Sequence, residues 1–433
     1  MVIPARSRST DAAAIAFAKI VVALAALHFG FSHVSDDDYA RTVISERFAI
    51  APSFDPSGTS WLPFPFWITG SSMMAFGRSL ETARNVAILM SALSCGAVYL
   101  ALRAAQVARA PAIAGTVIAM SLPWSAWLGA TNVPEGFTPQ LMVIGMVTAN
   151  APTLRARSLG GLALLAASLS RYEAWPICAL FFLSGLSTPI ASKRFAAHAM
   201  PILGPLAWMT WNLHTHGSAT HFLTRVAAYR DAIGASEKDF WGALLIYPRA
   251  LLAIGMEPIF LGSFGLVVVC MRRDLRQRWA PPLFACMTLF AFLIYGESRG
   301  GAPTHHPERA VLAAAWVLIA LGVDAFFLVG AKATRALTVG SIAAIVVWLA
   351  TLPPRYSNAP GTSADEDRSP QIARGLDLRT RDVKHFSVLP CAYEHFALIA
   401  AFGAPERVVI ASVSPRDAAT HRPTAVCPTI QEN

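Results

Sequence analysis

The chain has 433 residues, of which 55% are hydrophobic and 14% are charged, with a mean hydropathy of +0.48 and a formal net charge of +9. Soluble domains usually carry about 25% charged residues, so the composition excludes an ordinary soluble protein and indicates an integral membrane protein. The basic residues fall in small clusters between apolar segments. This pattern is typical of membrane orientation signals and argues against nucleic-acid binding.

The first apolar segment, Ala12 to Val34, is predicted to be a retained membrane helix. It lacks a small-residue cleavage site followed by a soluble domain, so we do not interpret it as a removed signal peptide. Arg6 and Arg8 precede it, which predicts a cytoplasmic N-terminus. The stretch Ser35-Asp36-Asp37-Asp38-Tyr39 then lies on the outer side. Three adjacent carboxylates cannot lie in hydrocarbon, so they form either a solvated helix end or a site with a chemical task.

A long outer segment, residues 35–81, separates the first helix from the second. Its apolar spacing predicts a helix over Tyr39–Ile50. A second apolar and aromatic piece, Trp61–Met74, is interrupted by two prolines and a glycine. We predict that both pieces are interfacial helices along the membrane surface, with tryptophans at headgroup depth. Alternatively, the second piece spans or re-enters the membrane, which would invert the orientation of everything downstream.

Ten further apolar segments bring the predicted number of transmembrane helices to about eleven, so the predicted fold class is an all-α polytopic membrane protein. These segments are Thr82–Leu102, Pro111–Leu128, Pro139–Ala151, Leu159–Leu169, Trp175–Leu186, Phe195–Leu213, Ala250–Cys270, Ala280–Tyr295, Ala310–Leu328 and Leu337–Leu352. Every second loop is basic, as the positive-inside rule requires. An odd number of spans predicts that the C-terminal tail is periplasmic.

The tail differs in composition from the membrane domain, which we assign to residues 1–352. Residues 353–366 are predicted to be a linker, and residues 367–433 a small periplasmic α/β domain. Cys391 and Cys427 lie in this domain and either form a disulfide or remain free thiols. The pattern of the tail predicts a strand, a helix and a strand over His385–Leu389, Ala392–Phe402 and Arg407–Ala411.

The predicted outer loops carry nearly all of the histidines, together with carboxylates and with arginines beside aromatic residues. A guanidinium group binds phosphate oxygens in a bidentate fork, and a nearby carboxylate can act as general base toward a hydroxyl or amine. The set therefore predicts transfer of a group from a lipid phosphate to an acceptor. Its members are Asp36, Asp37, Glu135, Arg171, Tyr172, Glu173, His306 and Arg309.

Structural explanations stand beside these functional ones. Arg171 can simply pair with Glu173 or Glu135, and Glu308 can cap the helix that follows it. Asp38 is the third acid of its run, and a solvated role suffices for it. Other residues with a structural explanation are His214, His216 and His221, which can be solvated, and Asp324, which we predict to be an internal helix–helix partner.

The predicted outer loops contain no compact metal-ligand spacing, so no metal site is predicted. A divalent cation, Mg²⁺ or Mn²⁺, held by Asp37 with Glu135 or His306, stays open as an alternative.

The order of these motifs resembles the GT-C superfamily of membrane glycosyltransferases over roughly residues 1–352. Asp36-Asp37-Asp38-Tyr39 is similar to the acidic-pair-plus-tyrosine signature of the protein O-mannosyltransferase and aminoarabinose transferase families. Arg171-Tyr172-Glu173-Ala174-Trp175-Pro176 resembles the R-Y-E segment of bacterial members. His306-Pro307-Glu308-Arg309 looks like a degenerate form of the H-K-E-x-R-F motif of dolichol-linked mannosyltransferases.

The resemblance implies a bacterial inner-membrane enzyme that moves a sugar from a polyprenyl-phosphate donor to a lipid, glycan or protein acceptor on the periplasmic face. In that family pattern Asp36 matches the general base or acceptor-positioning carboxylate, and Asp37 matches the second acid. Arg171 and Arg309 match groups that hold the donor phosphate, and the reaction inverts the anomeric centre in one displacement.

Two functions of other classes remain as alternatives. A transporter or flippase of a lipid-linked sugar would use the same anion-binding residues without bond cleavage. It predicts charged residues near the bilayer midplane and an internal repeat, and the sequence contains no convincing repeat. A non-catalytic envelope assembly protein would use the tail as its interaction module.

Overall fold

Helices dominate the chain because a backbone in a bilayer must satisfy its hydrogen bonds within its own segment. The computed structural model describes residues 5–186, 189, 192–232, 240–299, 306–330, 348–360, 366–389, 393–411 and 428–432. Cys391 and Cys427 lie outside the described residues. Most of the predicted span Leu337–Leu352 also lies outside them, and residues 348–357 are helical.

The helices follow one another with short connections up to residue 330. Their bounds are α1 (Ala5–His28), α2 (Asp37–Ile50), α3 (Phe64–Phe76), α4 (Leu80–Ala104), α5 (Arg109–Met120), α6 (Pro123–Leu128), α7 (Thr138–Thr148), α8 (Leu154–Ser168), α9 (Trp175–Gly185), α10 (Lys193–Ala199), α11 (Leu203–His216), α12 (His221–Ala232), α13 (Phe240–Ile254), α14 (Met256–Met271), α15 (Arg273–Ser298) and α16 (Glu308–Gly330).

The chain is a multi-pass membrane protein. Within the described ranges, four helices are long and apolar enough to cross a membrane, and a bent helix pair is a fifth candidate. The predicted count of about eleven spans stays a prediction, because several of the predicted spans are short or broken helices in the structure. The four long helices lie at Arg8–His28, Leu80–Ala104, Arg273–Ser298 and Glu308–Val329.

The predicted single span Ala250–Cys270 is wrong, because the chain bends there by 106° between α13 and α14. The break lies at Gly255, whose φ of +155° is a conformation that side-chain-bearing residues rarely adopt. Similarly, the predicted span Pro111–Leu128 is divided into α5 and α6. Pro123 opens α6 and has no backbone N–H to continue the helical hydrogen bonds from α5.

Two charged side chains buried within the membrane spans both have protein partners. Lys19 of α1 is fully buried, and its Nζ donates to the backbone oxygens of Ser125 (2.5 Å) and Met120 (3.4 Å). Met120 ends α5, so the cation satisfies carbonyls that a helix C-terminus leaves unpaired. Asp324 of α16 accepts from Arg278 (2.7 Å) and from the indole of Trp279 (2.9 Å) of α15. The prediction that Asp324 is a helix–helix partner is confirmed.

The C-terminal residues form the predicted small α/β unit. It contains α17 (Ser369–Thr380), β1 (Phe386–Leu389), α18 (His395–Phe402), β2 (Val408–Ile410) and β3 (Thr429–Glu432). The strand order is β2-β1-β3, with β2 parallel and β3 antiparallel to β1. Phe386 is opposite Val408 in the parallel pair and opposite Glu432 in the antiparallel pair. The central strand is β1, whose Phe386 and Val388 are fully buried.

Helix α2 connects this C-terminal unit to the membrane domain. It packs against α3 on one side and against α18 on the other. Tyr39 and Val43 of α2 belong to the same hydrophobic core as Phe386, Leu398 and Phe402 of the C-terminal unit. Both predicted outer-segment helices exist, but α2 is buried along most of its length between two layers of protein. The C-terminal unit is therefore packed against α2, the helix that begins within the acidic stretch.

Candidate functional site

Asp36 forms an ion pair with the C-terminal unit. Arg368 donates from Nε to Oδ1 (2.7 Å) and from Nη2 to Oδ2 (2.9 Å), which is the bidentate fork typical of strong arginine–carboxylate pairs. Arg368 is only 6% exposed, whereas Asp36 is 20% exposed. A carboxylate has about four lone-pair positions, so the fork leaves acceptor capacity on both oxygens. Asp36 is thus oriented by protein and still accessible.

His33 lies on the same connection and was not singled out in the sequence. It is buried, its Nδ1 is 2.8 Å from the hydroxyl of Ser32, and its ring contacts that of Tyr39. Burial lowers the pKa of His33 to about 4, although Asp36 acts in the opposite direction. The imidazole is therefore neutral at pH 7 and does not compete with Arg368 for Asp36.

Asp37 and Asp38 have opposite environments. Asp37 is exposed in the first turn of α2, where its negative charge interacts favourably with the positive end of the helix dipole. Asp38 is buried, and its Oδ2 accepts from the backbone N–H of Val34 (2.8 Å) while its Oδ1 has no partner among the described residues. Burial raises the pKa of Asp38 to about 7, although Arg309 and the Val34 N–H lower it. The prediction of a solvated third acid is wrong, because α2 places this side chain inward.

The centre of the site is Glu135, in the short helical turn Pro134–Gly136 before α7. Its Oε1 accepts from Nη1 of Arg171 and lies 3.7 Å from Nη1 of Arg309. Burial alone would raise the pKa of Glu135, but Arg171, Arg309 and Arg41 lower it to about 2. Glu135 is therefore a permanent anion that holds arginines in place, and it repels a phosphate instead of binding one.

Arg171 is fully occupied by carboxylates. Besides Glu135, it contacts Glu173 through two hydrogen bonds, one of them 3.0 Å from Nε to Oε2. Burial would lower the pKa of Arg171, but Glu135 and Glu173 raise it. These contacts match the structural explanation of Arg171, whose guanidinium is already neutralised by two acids.

Arg309 and Arg41 are the less committed cations of the site. Arg309 is 9% exposed, donates from Nη2 to the hydroxyl of Ser35 (3.2 Å) and leaves its Nε buried without a partner among the described residues. Arg41 of α2, which the sequence did not single out, is 7% exposed and lies over the ring of Trp61 at 4.1 Å. Its guanidinium makes no hydrogen bond or ion pair with a described residue. Two buried guanidinium groups therefore keep free donors next to the acidic stretch, where Arg309 contacts Ser35 and Asp37 acts electrostatically on Arg41.

The other candidate residues lie at the margin of this site. The hydroxyl of Tyr172 donates to the Ser60 carbonyl (2.7 Å) and accepts from the indole of Trp208 (3.1 Å), so both of its hydrogen-bonding functions are used by the protein. Its ring stacks on Phe222 at 4.8 Å. The structure thus places Tyr172 in an aromatic cluster beside the arginines, while its neighbour Glu173 pairs with Arg171.

His306 lies two residues before α16 and has a φ of +97°, and its ring lies 5.4 Å from that of Trp124. Its backbone carbonyl accepts from the N–H of Arg309 (3.2 Å), so this strained residue is bonded to the first turn of α16. The other histidines of the predicted outer loops lie elsewhere. His216 and His221 stack on each other at 4.2 Å, and His214 and His216 are exposed.

The carboxylates of this region do not converge as metal ligands. No group of three or more His, Cys, Asp or Glu side chains in the described ranges is placed to hold a metal ion. Asp36 is engaged by Arg368, and Glu135 is surrounded by guanidinium groups, which repel a cation. The described donor set therefore does not fit the divalent cation considered from the sequence.

The buried acid Asp38 gives the fold a pH-dependent stability. Because its folded pKa of about 7 lies above the ordinary value of 3.8, its contribution is fully present below about pH 4 and is lost as the pH rises toward 7. We expect Asp38→Asn to melt with wild type at pH 4.5 and several degrees higher at pH 8. The full shift corresponds to roughly 4 kcal/mol. Asp37→Asn, on the exposed neighbour, should change neither value, and an equal Asp38→Asn effect at both pH values would contradict the assignment.

Comparisons with solved structures find the same arrangement of helices. The crystal structure of ArnT from Cupriavidus metallidurans bound to undecaprenyl phosphate matches with a TM-score of 0.56 and 14% identity, over 94% of this chain and 90% of that one. Archaeal oligosaccharyltransferase AglB from Archaeoglobus fulgidus, in complex with an inhibitory peptide and a dolichol-phosphate, matches with a TM-score of 0.51 and 13% identity, over 93% of this chain and 65% of that one.

A second A. fulgidus oligosaccharyltransferase structure, a complex with Zn and sulfate, matches with a TM-score of 0.53 and 15% identity, over 90% of this chain and 62% of that one. This chain thus spans less than two thirds of the archaeal proteins but nearly all of ArnT. No protein-family model matches the sequence, and a search of curated proteins gives no significant match. At these identities the likeness shows the fold.

Proposed function

Because the chain has the GT-C fold, we propose that it is a glycosyltransferase that moves a sugar from a polyprenyl-phosphate donor to an acceptor on the periplasmic face of a bacterial inner membrane. The observation that carries the proposal is the pair of buried guanidinium groups with free donors, Arg41 and Arg309, next to the acidic stretch that holds the oriented and accessible carboxylate of Asp36. The match to an ArnT structure that contains undecaprenyl phosphate supports a lipid phosphate as the anion.

The phosphate of the donor binds at Arg41 and Arg309 in this proposal. The Nε of Arg309 is buried and unpartnered, and the guanidinium of Arg41 contacts only the faces of aromatic rings. Buried polar groups are normally hydrogen-bonded, so the unpartnered Nε of Arg309 supports a role in binding an anion. Arg171 pairs with Glu135, which lies close to Arg309, and so helps to position the phosphate site without contacting the phosphate. The family pattern instead implies a direct phosphate contact for Arg171.

Asp36 acts as the general base toward the acceptor. In a single displacement, the acceptor oxygen or nitrogen bonds to the anomeric carbon as the bond from that carbon to the phosphate oxygen breaks. The acceptor proton passes to Asp36, and polyprenyl phosphate leaves with the charge that Arg41 and Arg309 stabilise. Arg368 holds the Asp36 carboxylate through a bidentate fork, so it is a positioning residue for the base.

Substitution of Arg41 or Arg309 should weaken binding of the lipid phosphate. We expect Arg41→Gln and Arg309→Gln each to raise the Kd for undecaprenyl phosphate about tenfold or more, since a hydrogen bond to a charged group contributes about 1.5–3 kcal/mol. The measurement is a titration of purified protein, followed by the shift in melting temperature. Arg225→Gln is the matched control, because this arginine is exposed on α12.

Unchanged lipid affinity in both variants would show that the phosphate binds elsewhere.

Turnover distinguishes the enzyme from the flippase alternative. Both functions require binding of the lipid phosphate, but only the enzyme converts a sugar-loaded undecaprenyl phosphate into free undecaprenyl phosphate. Lys19 and Asp324, two charged side chains buried in the spans, are satisfied by the protein itself, so neither favours a transport path. Conversion by purified protein, followed by mass spectrometry of the lipid, therefore supports the enzyme, whereas vesicle uptake without conversion would support the flippase.

A further inference from the structure

A second basic site lies where the C-terminal unit meets the start of α4. A cavity of about 340 Å³ is lined by Arg78, Arg379, Asp382, Phe402, Gly403, Ala404 and Arg407. Arg78 follows α3 and precedes α4, whereas the other lining residues belong to the C-terminal unit. The cavity therefore exists only because the two parts are packed together, and it is separate from the Arg41–Arg309 site.

The described residues leave this cavity with excess positive charge. Arg78 pairs with Glu406 at 2.8 Å, and Asp382 is shared between Arg407 (3.1 Å) and Lys384. Arg379 is exposed and makes no ion pair with a described residue. The lining itself contains three arginines and one acid, Asp382. A free guanidinium beside an arginine whose partner is half-exposed is a suitable place for a phosphate, which guanidinium groups bind in a planar fork.

A third acid near the cavity does not cancel this charge. Glu46 of α2 is completely buried, and both of its carboxyl oxygens lack a hydrogen-bond partner among the described residues. Burial raises the pKa of Glu46 well above its usual range, although Arg78 and Arg379 lower it. Burial therefore favours the neutral form of this carboxyl group. An unpartnered buried carboxyl beside Arg78 and Arg379 is a second indication that a polar ligand completes this region.

The position of the cavity identifies the class of its ligand. Arg78 lies two residues before Leu80, where the membrane span α4 begins, so the cavity opens at the level of the lipid headgroups. Two apolar side chains shortly before Arg78 in the chain are strongly exposed: Phe76 is 80% and Met74 is 53% exposed. An apolar surface next to a basic cavity matches an anionic phospholipid. Its acyl chains would cover the apolar surface, and its phosphate would enter the basic cavity.

We propose that the cavity lined by Arg78, Arg379 and Arg407 binds the phosphate of an anionic membrane phospholipid, which ties the C-terminal unit to the membrane surface. The proposal does not depend on sugar transfer. It assigns Arg379 the direct phosphate contact, because this residue is the one lining arginine without an ion pair in the described part of the chain. Arg78 and Arg407 add the surrounding positive charge.

The test measures lipid binding by the full chain in nanodiscs of phosphatidylcholine with 0 or 20% phosphatidylglycerol. Native mass spectrometry counts the phosphatidylglycerol retained after release. We expect Arg379→Gln to lower that retention about tenfold, as expected for one charged hydrogen bond. Arg381→Gln should retain phosphatidylglycerol as wild type does, because this exposed arginine, directly after α17, lies outside the cavity.

A second arm separates a lipid from a soluble anion. We expect 10 mM inorganic phosphate to leave the retained phosphatidylglycerol unchanged, because the exposed apolar surface holds the acyl chains as well. Displacement of the lipid by phosphate would overturn the assignment to a phospholipid. Equal retention by Arg379→Gln and wild type would overturn the site itself. Because Arg379 has no ion pair to lose, its variant should fold, which an unchanged melting temperature verifies.

Discussion

Asp36→Asn should lower sugar transfer about 10²–10⁴-fold, the range that general base catalysis contributes. The amide keeps the shape of the side chain and can still accept a hydrogen bond from Arg368, but it cannot take a proton from the acceptor. Undecaprenyl phosphate should bind to the variant as tightly as to wild type, because Arg41 and Arg309 are unchanged. The measurement is the rate of transfer by purified protein at saturating donor, with lipid affinity determined in parallel.

Arg368 provides the companion experiment for this prediction. Arg368→Lys keeps the positive charge but cannot form the bidentate fork, so the Asp36 carboxylate loses its fixed orientation. We expect a smaller loss than in Asp36→Asn and no additional loss in the double variant. If Arg368→Lys instead reduced transfer further in the Asp36→Asn background, the arginine would act independently of the base. A wild-type rate in Asp36→Asn would refute the base assignment.

Glu135→Gln should cause the largest loss of stability in the site. This buried carboxylate pairs with Arg171 and lies close to Arg309, so its removal leaves an excess of buried positive charge. Breaking one partner of a buried ion pair costs about 3–5 kcal/mol, which should appear as a clearly lower melting temperature. The donor phosphate replaces the missing negative charge. We therefore expect undecaprenyl phosphate to raise the melting temperature of Glu135→Gln more than that of wild type.

Asp274→Asn is the matched control for the buried pair. Asp274 also pairs with an arginine, Arg272, but both side chains are about half exposed. Exposed pairs contribute about 0–1 kcal/mol, so this variant should melt close to wild type and should not respond more strongly to the lipid. A Glu135→Gln variant that is destabilised but not rescued by undecaprenyl phosphate would separate the arginine cluster from phosphate binding.

Much of the fold could be predicted from hydrophobic runs. The sequence predicted a polytopic helical protein, the two helices of residues 35–81 and a small C-terminal α/β unit, and the structure agrees. The break at Gly255 could not be predicted, because α13 and α14 together have the length and composition of one span. Burial of α2 also escaped prediction, since the residues that cover it, such as Leu398 and Phe402, are more than 300 positions away.

The candidate site could be predicted only in part from the sequence. The sequence grouped Glu135, Arg171, Glu173 and Arg309, and the structure brings these four together. Periodicity did not identify Arg41, which is an isolated basic residue in an amphipathic helix. Nothing local pointed to Arg368, because its partner Asp36 lies at the other end of the chain. The sequence also ranked Asp38 as a solvated acid, whereas burial against the loop carrying Val34 makes it a distinct group.

The most direct test is a chemical assay of the purified full chain with undecaprenyl phosphate carrying common hexoses and pentoses. Membranes from a strain that lacks the protein supply the acceptor, and mass spectrometry follows both the lipid and its sugar. We predict that wild type converts at least one donor into free undecaprenyl phosphate and a glycosylated acceptor, and that Asp36→Asn binds the same donor without converting it. Tight binding of the donors without any conversion by wild type would contradict glycosyl transfer.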